Sequence, residues 1–331
     1  MRKVRWGVLS TARIATRTVI PAMRQGAYGE ITAIASRDGE RAARAAEALG
    51  IAKAYGSYEA LLADQEVDAI YNPLPNHLHV PWSLKALEAG KHVLCEKPLG
   101  RTAAELAPLI EAARRQPRLK VMEAFMYRFH PQWRRVHELV TMGRLGTLRS
   151  VHTSFAYFND DPTNVRNQGD IGGGALLDIG CYAVSVARWL FGAEPRRAFA
   201  LLDMDPRFAV DRLVSGTLDF GSGVATFTCG TQLEYGQRVE ISGSDGRLVV
   251  ELPFNPLPDQ PTHVSFQHAD AREELTFDAC NQYTLQGDQF SQAILDDGAV
   301  PTPLADALAN ARVLDALRAS NMAGGWAEVV V

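Results

Sequence analysis

The stretch that decides the fold is residues 7–15, GVLSTARIA, which directly follows a short apolar run at the start of the chain. In α/β nucleotide-binding proteins this place, between the first strand and the first helix, carries a G-x-G-x-x-G loop. Here the three glycine positions hold the small residues Ser10, Ala12 and Ala15. A helix that begins after such a loop still offers N–H groups and its dipole to a phosphate. The stretch therefore predicts a dinucleotide loop, with an ordinary strand-to-helix turn as the alternative that this segment alone leaves open.

Length and composition indicate a globular chain of two domains. The 331 residues favour two domains at about 150 residues each, and 47% apolar with 22% charged residues is typical of soluble proteins. We see no apolar run of the roughly 18 residues that a membrane span needs. The 34 basic and 38 acidic residues give a net charge of −4, which argues against a nucleic-acid binder. We expect a small-molecule partner, no nucleic acid and no membrane.

The cysteines and histidines give no metal signature. The four cysteines are scattered without a C-x-x-C pair, and no signal-peptide pattern follows Met1, so we expect reduced thiols in a cytoplasmic protein. His77 and His79 form an H-x-H pair, but no cysteine or carboxylate lies nearby at ligand spacing. We expect no metal.

Two patterns of hydrophobicity divide the chain. From residue 4 to about residue 120, short apolar runs alternate with alanine-rich helical stretches, which predicts βαβ units and a parallel sheet. After Arg128, a helix at about 132–142 precedes long segments with period-2 alternation, which predict a largely antiparallel open sheet of six strands. Helices at about 174–190, 285–296 and 304–320 would cover one face of that sheet, and the other face would suit a subunit interface.

Ser36 and Arg37 bear on the choice of cofactor. They end an apolar strand about 20 residues past the loop, where an NAD enzyme places the acidic residue that binds the ribose 2′-hydroxyl. Arginine clamps a 2′-phosphate instead, which favours NADP. A solvated arginine in a turn is the alternative for this residue. If the strand ended one or two residues later, Asp38 would indicate NAD.

Polar residues follow two later strands at the sheet edge where open α/β sheets bind ligands. One group lies in YNPLPNHLH at 71–79 and the other in CEKP at 95–98. The candidate cofactor-binding residues are Ser10, Thr11, Ala12, Arg13, Ile14, Ser36, Arg37, Asn72, Leu74, Asn76, His79, Glu96 and Lys97.

The segment GGGALLDIGCY at 172–182 places Asp178 and Tyr182 four residues apart, on one face if the segment is helical. A free tyrosine, with a pKa near 10, is a poor base at neutral pH, but a neighbouring lysine cation would lower that pKa. Taken alone, the segment favours a structural role, with Asp178 near a helix start and Tyr182 half-buried.

Three segments together carry a family resemblance: residues 67–100 around the E-K-P motif, MEAFMYRFHP at 122–131, and GGGALLDIGCYAV at 172–184. The chain resembles the Gfo/Idh/MocA oxidoreductases, the family of glucose–fructose oxidoreductase and inositol dehydrogenase. Within it, the nearest likeness is to dimeric dihydrodiol dehydrogenases and NADP-dependent D-xylose dehydrogenases. The resemblance runs over most of the chain, from the first strand to NARVLDALRAS near the end.

The resemblance implies an α/β fold with a Rossmann NAD(P)-binding domain over residues 1–124. A substrate-binding and oligomerisation α/β domain with a large open, mainly antiparallel sheet would occupy residues 125–331. Members of this branch carry small residues in place of strict loop glycines, so residues 7–15 fit a dinucleotide loop. The family motif also implies a cis bond between Lys97 and Pro98, and a homodimer or homotetramer built through the C-terminal sheet.

By motif match, the catalytic residues would be Lys97, Asp178 and Tyr182. Tyr182 would take a proton from a sugar, polyol or diol hydroxyl while hydride leaves the same carbon for nicotinamide C4. Lys97 would lower the pKa of the tyrosine and orient the nicotinamide ribose, and Asp178 would orient the substrate hydroxyl. Candidate substrate contacts are Arg128, Asn164 and Arg166, with surface salt bridging as their alternative role.

The expected cofactor is NADP, with NAD possible. Two other functions fit the same fold. A non-catalytic nucleotide-sensing regulator would be expected to lack Lys97 or Tyr182, and both are present. An NAD-dependent glycoside hydrolase would hold its cofactor through a turnover and release no reduced nucleotide.

Overall fold

The computed structural model describes residues 2–269 and 271–330, and the chain forms two compact units. The first unit runs to Met126 and takes in Asn281–Ala307. The second comprises Tyr127–Cys280 and the chain from Leu308 onward. Residues 281–307 thus pack with the first unit, an arrangement that a single boundary between residues 124 and 125 does not describe.

The first unit is built on a parallel sheet. Its strands are β1 (Val4–Leu9), β2 (Gly29–Ala35), β3 (Lys53–Tyr55), β4 (Ala69–Asn72), β5 (His92–Cys95) and β6 (Val121–Glu123). Among the described residues the six strands lie in the order β3-β2-β1-β4-β5-β6, and each neighbouring pair is parallel. The predicted parallel sheet is confirmed. Because the strand order reverses between β1 and β4, the carboxyl ends of these strands border the crevice where such sheets bind ligands.

Helices connect these strands, and their ends follow the capping rules. A π-helical turn at Ala15–Val19 continues into α1 (Ile20–Met23), and α2 (Gly39–Leu49), α3 (Tyr58–Leu62), α4 (His79–Glu88) and α5 (Ala103–Arg115) follow. The side chains of Asp38, Ser57 and Thr102 accept N–H bonds at the starts of α2, α3 and α5. Helix α2 ends at Gly50, whose φ of 60° suits glycine.

The second unit contains a large open sheet. Its strands are β7 (Leu148–Phe158), β8 (Arg197–Met204), β9 (Asp211–Asp219), β10 (Val224–Gly230), β11 (Gln232–Gly243), β12 (Gly246–Val250), β13 (Thr262–His268), β14 (Ala271–Phe277) and β15 (Ala327–Glu328). Within the described ranges the order is β14-β13-β12-β11-β7-β10-β9-β8-β15. Only β7 and β10 pair in parallel there. The mainly antiparallel sheet is confirmed, but the expected six strands become nine. Strands β8, β13 and the two-residue β15 were not predicted, although buried and more exposed residues alternate along β13.

The remaining helices are α6 (Pro131–Thr141), α7 (Cys181–Phe191), α8 (Gln282–Leu295) and α9 (Leu304–Ala323). Helix α8 does not cover the second sheet as expected. It packs on the first sheet, where Ser291 Oγ accepts the Trp6 indole N–H at 3.1 Å and the Phe290 ring lies 5.6 Å from that of Trp6. Periodicity shows that α8 has a buried face but cannot show which sheet that face contacts.

The alternation in the second sheet separates a covered face from an open one. In β7, Val151, Thr153 and Phe155 are buried while His152 is exposed.

One helical stretch in this unit, Gly169–Phe191, is long and apolar enough to cross a membrane by length and composition alone. This corrects the expectation that the chain has no apolar run of that length. Its most apolar window is 83% buried inside the protein, as in the core helix of a globular domain.

Candidate active site

A glycine-rich turn leads into the helix that carries Asp178 and Tyr182. Gly172 and Gly174 have φ values of 88° and 107°, which residues with side chains rarely adopt. A π-helical turn at Leu176–Gly180 contains Asp178, and Tyr182 lies in the first turn of α7. Single π-turns inside helices occur frequently at functional sites.

Two donors converge on one oxygen of Asp178. The Tyr157 hydroxyl lies 2.5 Å from Asp178 Oδ2, and Arg166 Nε lies 2.8 Å from the same atom. The Asp178 side chain is 12% exposed. Hydrogen bonds from a phenol and a guanidinium favour the ionised carboxylate and fix its orientation. The structure therefore brings the predicted residues Asp178 and Arg166 together and adds Tyr157, which the sequence analysis missed.

Tyr157 acts in this cluster as a donor. Burial raises its pKa far above the usual 10, the negative charge of Asp178 raises it further, and Arg166 opposes the shift. The phenol therefore stays protonated at neutral pH. The negative charge of Asp178 also raises the pKa of Arg166, against the effect of burial. The one signal for Tyr157 in the sequence is its alternation with Phe155, which places both on the covered face of β7.

Tyr182 is held by aromatic side chains. Its ring centroid lies 5.0 Å from that of Phe254, 5.7 Å from Phe155 and 5.9 Å from Tyr127. Its side chain is buried, and its hydroxyl interacts electrostatically with Arg166. A guanidinium near a phenol favours the phenolate, so Arg166 opposes the effect of burial on this hydroxyl.

Arg128 and Asn164, two predicted substrate contacts, make bonds inside the second unit. Arg128 Nη2 donates to Ser185 Oγ at 2.8 Å, which braces α7. Asn164 Oδ1 accepts the Arg166 N–H at 3.1 Å and so caps the short 3₁₀ helix Val165–Asn167. Asn164 thereby orients the segment that carries Arg166. Contact of either residue with substrate stays a prediction.

The loop after β1 has the backbone of a glycine loop without its glycines. Ser10, at the first glycine position, has a φ of 89°, a conformation that costs a non-glycine residue on the order of 1–3 kcal/mol. Its Oγ accepts the Ala12 N–H at 3.0 Å, and its own N–H bonds to the end of β2. A helix of residues 13–23 then begins, so Thr11, Arg13 and Ile14 lie at its positive end.

Ser36 and Arg37 directly follow β2, as predicted. Ser36 is buried and its Oγ accepts the Asp38 N–H at 3.2 Å, whereas Arg37 is exposed and within bonding reach of the Tyr58 hydroxyl. The Asp38 side chain accepts the Arg41 N–H at 3.1 Å as the N-cap of α2. Asp38 is therefore already used by the helix, while Arg37 presents its guanidinium beyond the strand.

Asn72 and His79 hold the loop after β4 from within. The Asn72 amide donates to His79 O at 3.1 Å and accepts the Leu74 N–H at 3.3 Å. The His79 ring contacts Pro98 O at 2.7 Å and Leu74 O at 2.6 Å. Burial lowers the pKa of His79 to about 4, although the two carbonyls oppose the shift. Both ring nitrogens of His79 thus contact backbone carbonyls, and Asn76 begins the short helical turn Asn76–Leu78 on the same loop.

Glu96 and Lys97 follow β5, and the bond from Lys97 to Pro98 is cis, which confirms the prediction. The buried Tyr71 hydroxyl donates to Glu96 Oε1 at 2.7 Å. Tyr283, on α8, also interacts with Glu96: burial raises its pKa and the Glu96 charge adds to the shift. Tyr71 begins the segment 71–79 but was not among the candidate residues. Tyr283 belongs to no motif and lies far along the chain, so the sequence analysis missed it.

The first unit fits a bound dinucleotide. The left-handed backbone at Ser10 and the helix start after it have the geometry and dipole that suit a pyrophosphate, and the exposed Arg37 after β2 is a cation that suits a 2′-phosphate. His77 Nδ1 and Gln286 Oε1 are buried without a hydrogen-bond partner in the described part of the chain, so polar atoms are left for a ligand. Residues 2–269 and 271–330 contain no group of three or more His, Cys, Asp or Glu placed to hold a metal ion.

Comparison with known proteins agrees with this geometry. Residues 4–125 match the oxidoreductase family with an NAD-binding Rossmann fold, and residues 133–249 match the GFO/IDH/MocA C-terminal domain. The chain is 38% identical to the NADP(+)-dependent D-xylose 1-dehydrogenase 2 of Haloferax volcanii over 98% of this chain and 99% of that protein.

Two solved structures are also similar. A 3-ketoreductase from Actinomadura kijaniata, in complex with NADP and TDP-benzene, has a TM-score of 0.90 and 35% identity over 96% of this chain and 98% of that one. An aldose-aldose oxidoreductase from Caulobacter crescentus, complexed with glycerol, has a TM-score of 0.91 and 27% identity over 99% and 100% of the two chains. With this fold, this cluster and these relatives, the chain belongs to the Gfo/Idh/MocA oxidoreductase family.

Proposed function

We propose that this protein is a cytoplasmic NADP-dependent oxidoreductase that transfers hydride between the hydroxyl-bearing carbon of a sugar, polyol or diol and nicotinamide C4. The observation that carries the proposal is the position of Arg166 beside the glycine-rich turn, where it bonds to Asp178 and interacts electrostatically with Tyr182. The xylose dehydrogenase and the 3-ketoreductase among the relatives support the choice of sugars as the substrate class.

In the direction of oxidation, Tyr182 takes the proton of the substrate hydroxyl as the carbon–oxygen double bond forms. A bound nicotinamide would supply the acceptor for the hydride from that carbon. Asp178, fixed by Tyr157 and Arg166, accepts a hydrogen bond from the substrate and orients it. The Arg166 cation favours the phenolate of Tyr182. Lys97, by motif match, would hold the nicotinamide ribose.

NADP is the proposed cofactor because of the residues that follow β2. Arg37 is exposed, and its side chain contacts the Tyr58 hydroxyl. In the described part of the chain it is not paired with a carboxylate, so a 2′-phosphate could bind it without displacing one. Asp38, the alternative that would favour NAD, has its carboxylate bound at the start of α2. An NADP-dependent xylose dehydrogenase and a reductase solved with NADP among the relatives support the same choice.

The test is a screen of aldoses, polyols and trans-diols with NADP and with NAD, followed by absorbance at 340 nm. We expect NADPH to accumulate in proportion to the substrate consumed for at least one aldose. Glycoside cleavage without net NADPH would favour the glycoside hydrolase. Binding of NADP without turnover of any substrate class would favour the regulator, and either result would contradict the proposal.

We also propose a homodimer or homotetramer that associates through the open face of the second sheet. That face carries exposed Leu201 and Val224, with Ser215 and Thr228 of β9 and β10 beside Leu201. Light scattering at micromolar concentration should give a mass at least twice 36.2 kDa, and Leu201→Lys should lower it. A 36.2 kDa monomer for the wild type would contradict this proposal.

A further inference from the structure

The carboxylate of Asp211, at the start of β9, closes the glycine-rich turn. Its Oδ2 accepts the Leu176 N–H at 2.5 Å, and the Ala175 N–H also bonds to it. Gly174 has a φ of 107°, and a Cβ added there would overlap Asp211 Oδ1. Gly174 therefore has to be glycine for two reasons. Its backbone is left-handed, and the Asp211 carboxylate occupies the space that a side chain would need.

The same turn sets the positions of Arg166 and Asp178. The Gly174 N–H donates to Arg166 O at 2.8 Å, and the Asp178 N–H donates to Gly174 O at 3.1 Å. A Cβ on Gly173 would lie 2.5 Å from Arg166 O, so the close approach of these backbones also depends on glycine. Movement of the turn would displace both members of the Arg166–Asp178 pair.

The bonds from Asp211 replace an ordinary helix cap. The first N–H groups of a helix have no partner within it, and a carboxylate there satisfies them and complements the helix dipole. In this helix the cap comes from another strand, 35 residues along the chain from Leu176. The start of the helix that carries Asp178 and Tyr182 is thus tied to the edge of β9.

We infer that Asp211 is a positioning residue whose ionised carboxylate anchors this helix start, and that its protonation loosens the turn and lowers turnover. The link to turnover rests on the proposed function, because it takes Asp178 and Tyr182 as the groups that meet substrate. The anchoring itself does not depend on that function.

The surroundings of Asp211 make it titrate close to neutral pH. Burial raises its pKa to about 6, although the N–H groups of Leu176 and Ala175 oppose the shift. Arg318 on α9 also lowers it. On β10, Cys229 stays neutral because burial raises its pKa well above the usual range, and Cys181 and Asp178 on the helix are the other titratable groups around that thiol. A protonated Asp211 has one oxygen that donates rather than accepts, so it is a weaker cap.

The anchoring is tested on the wild-type protein by amide hydrogen exchange at pH 5 and pH 8, corrected for intrinsic exchange rates. We expect the Ala175 and Leu176 amides to lose at least tenfold protection at pH 5. The Gly221 amide, which donates to Asp219 Oδ1 at 2.8 Å, is the internal reference, because its bonds lower the pKa of Asp219 and keep it ionised at pH 5. Equal protection of Ala175 and Leu176 at both pH values would overturn the inference.

The link to turnover is tested with Asp211→Asn, which keeps the shape but cannot ionise, against Asp219→Asn at the other end of β9. We expect Asp211→Asn to lower kcat about tenfold at pH 8, as for a lost bond to a charged group, with KM for NADP within twofold. Its kcat should lack the decline near pH 6 that the wild type and Asp219→Asn show. A wild-type kcat and pH profile in Asp211→Asn would refute the role. If that variant did not fold, or no substrate were turned over, the exchange result would decide the anchoring alone.

Discussion

The hydroxyl of Tyr157 lies 2.5 Å from Oδ2 of Asp178, the same atom that the Arg166 guanidinium contacts at 2.8 Å. Two tyrosines therefore serve this cluster in different ways. Burial and the Asp178 charge raise the pKa of Tyr157, so it remains a donor. Tyr182 interacts electrostatically with Arg166, and we propose it as the tyrosine that transfers the proton.

Tyr157→Phe should lower kcat roughly ten- to a hundredfold, because a hydrogen bond to a charged group contributes about 1.5–3 kcal/mol. The dissociation constant of NADP should stay within twofold, since Tyr157 belongs to the second unit. Steady-state kinetics with a saturating substrate and NADP fluorescence titration measure the two quantities.

The matched control for that variant is Tyr235→Phe. Tyr235 is 56% exposed in the same sheet, and its hydroxyl accepts a hydrogen bond from Gln237. This change should leave kcat unaltered. A kcat for Tyr157→Phe within twofold of the wild type would show that Asp178 does not need its phenol donor.

Tyr182→Phe should reduce kcat by about 10²–10⁴-fold, the loss expected when a general base is removed. The ring keeps its contacts with Phe155 and Phe254, so the melting temperature should hardly change. NADP should bind as before. Turnover close to that of the wild type would exclude Tyr182 as the acid–base group, and a lower melting temperature would assign it a structural role instead.

Sequence patterns predicted what depends on local order. Period-2 alternation and alanine-rich helices predicted both sheets, and the E-K-P and glycine-rich motifs gave Lys97, Asp178 and Tyr182 as catalytic candidates, which stays a prediction. Contacts between distant segments were missed, because no periodicity records them. Tyr157 meets Asp178 only after β7 passes the π-helical turn, and α8 contacts Trp6 across most of the chain.

Backbone conformation was the other limit of the sequence analysis. Ser10 takes a φ of 89° in the loop after β1, which its residue type does not indicate. The role of Asp38 as the N-cap of α2 also needed the structure. If β2 ended one or two residues later in the chain, Asp38 would lie at the strand end instead, and the sequence does not decide between the two. Both residues lie in segments that we propose contact the cofactor.

Acid should destabilise the protein through His130. Its Nδ1 accepts the Gln132 N–H at 3.2 Å as the N-cap of α6, and burial lowers its pKa to about 4. The His130 imidazole takes up a proton near pH 6.5 in the unfolded chain but only near pH 4 in the folded chain. The free energy of unfolding therefore has its full His130 contribution above pH 6.5 and loses it as the pH falls from 6.5 to about 4. The full loss is on the order of 3 kcal/mol.

His130→Asn keeps a capping acceptor but takes up no proton. The decline of the melting temperature between pH 6.5 and pH 4 should therefore be shallower in this variant than in the wild type, as measured by scanning fluorimetry. His152→Asn, on the exposed side of β7, is the control and should leave the slope unchanged. An equal slope in His130→Asn and the wild type would remove His130 from the acid response.

Cofactor preference should depend on Arg37 and not on Asp38. Arg37→Ala removes the proposed partner of the 2′-phosphate, a charge-assisted contact that contributes on the order of 1.5–3 kcal/mol, so the roughly ten- to hundredfold preference for NADP should largely disappear. Asp38→Asn is the matched variant, because asparagine still caps α2 and only the negative charge is lost. The ratio of kcat/KM for NADP to that for NAD, with one active substrate, should fall in Arg37→Ala and stay within twofold in Asp38→Asn. A wild type that uses NAD equally well, or an Asp38→Asn variant that loses activity with NAD alone, would assign the ribose contact to Asp38 and make the enzyme NAD-dependent.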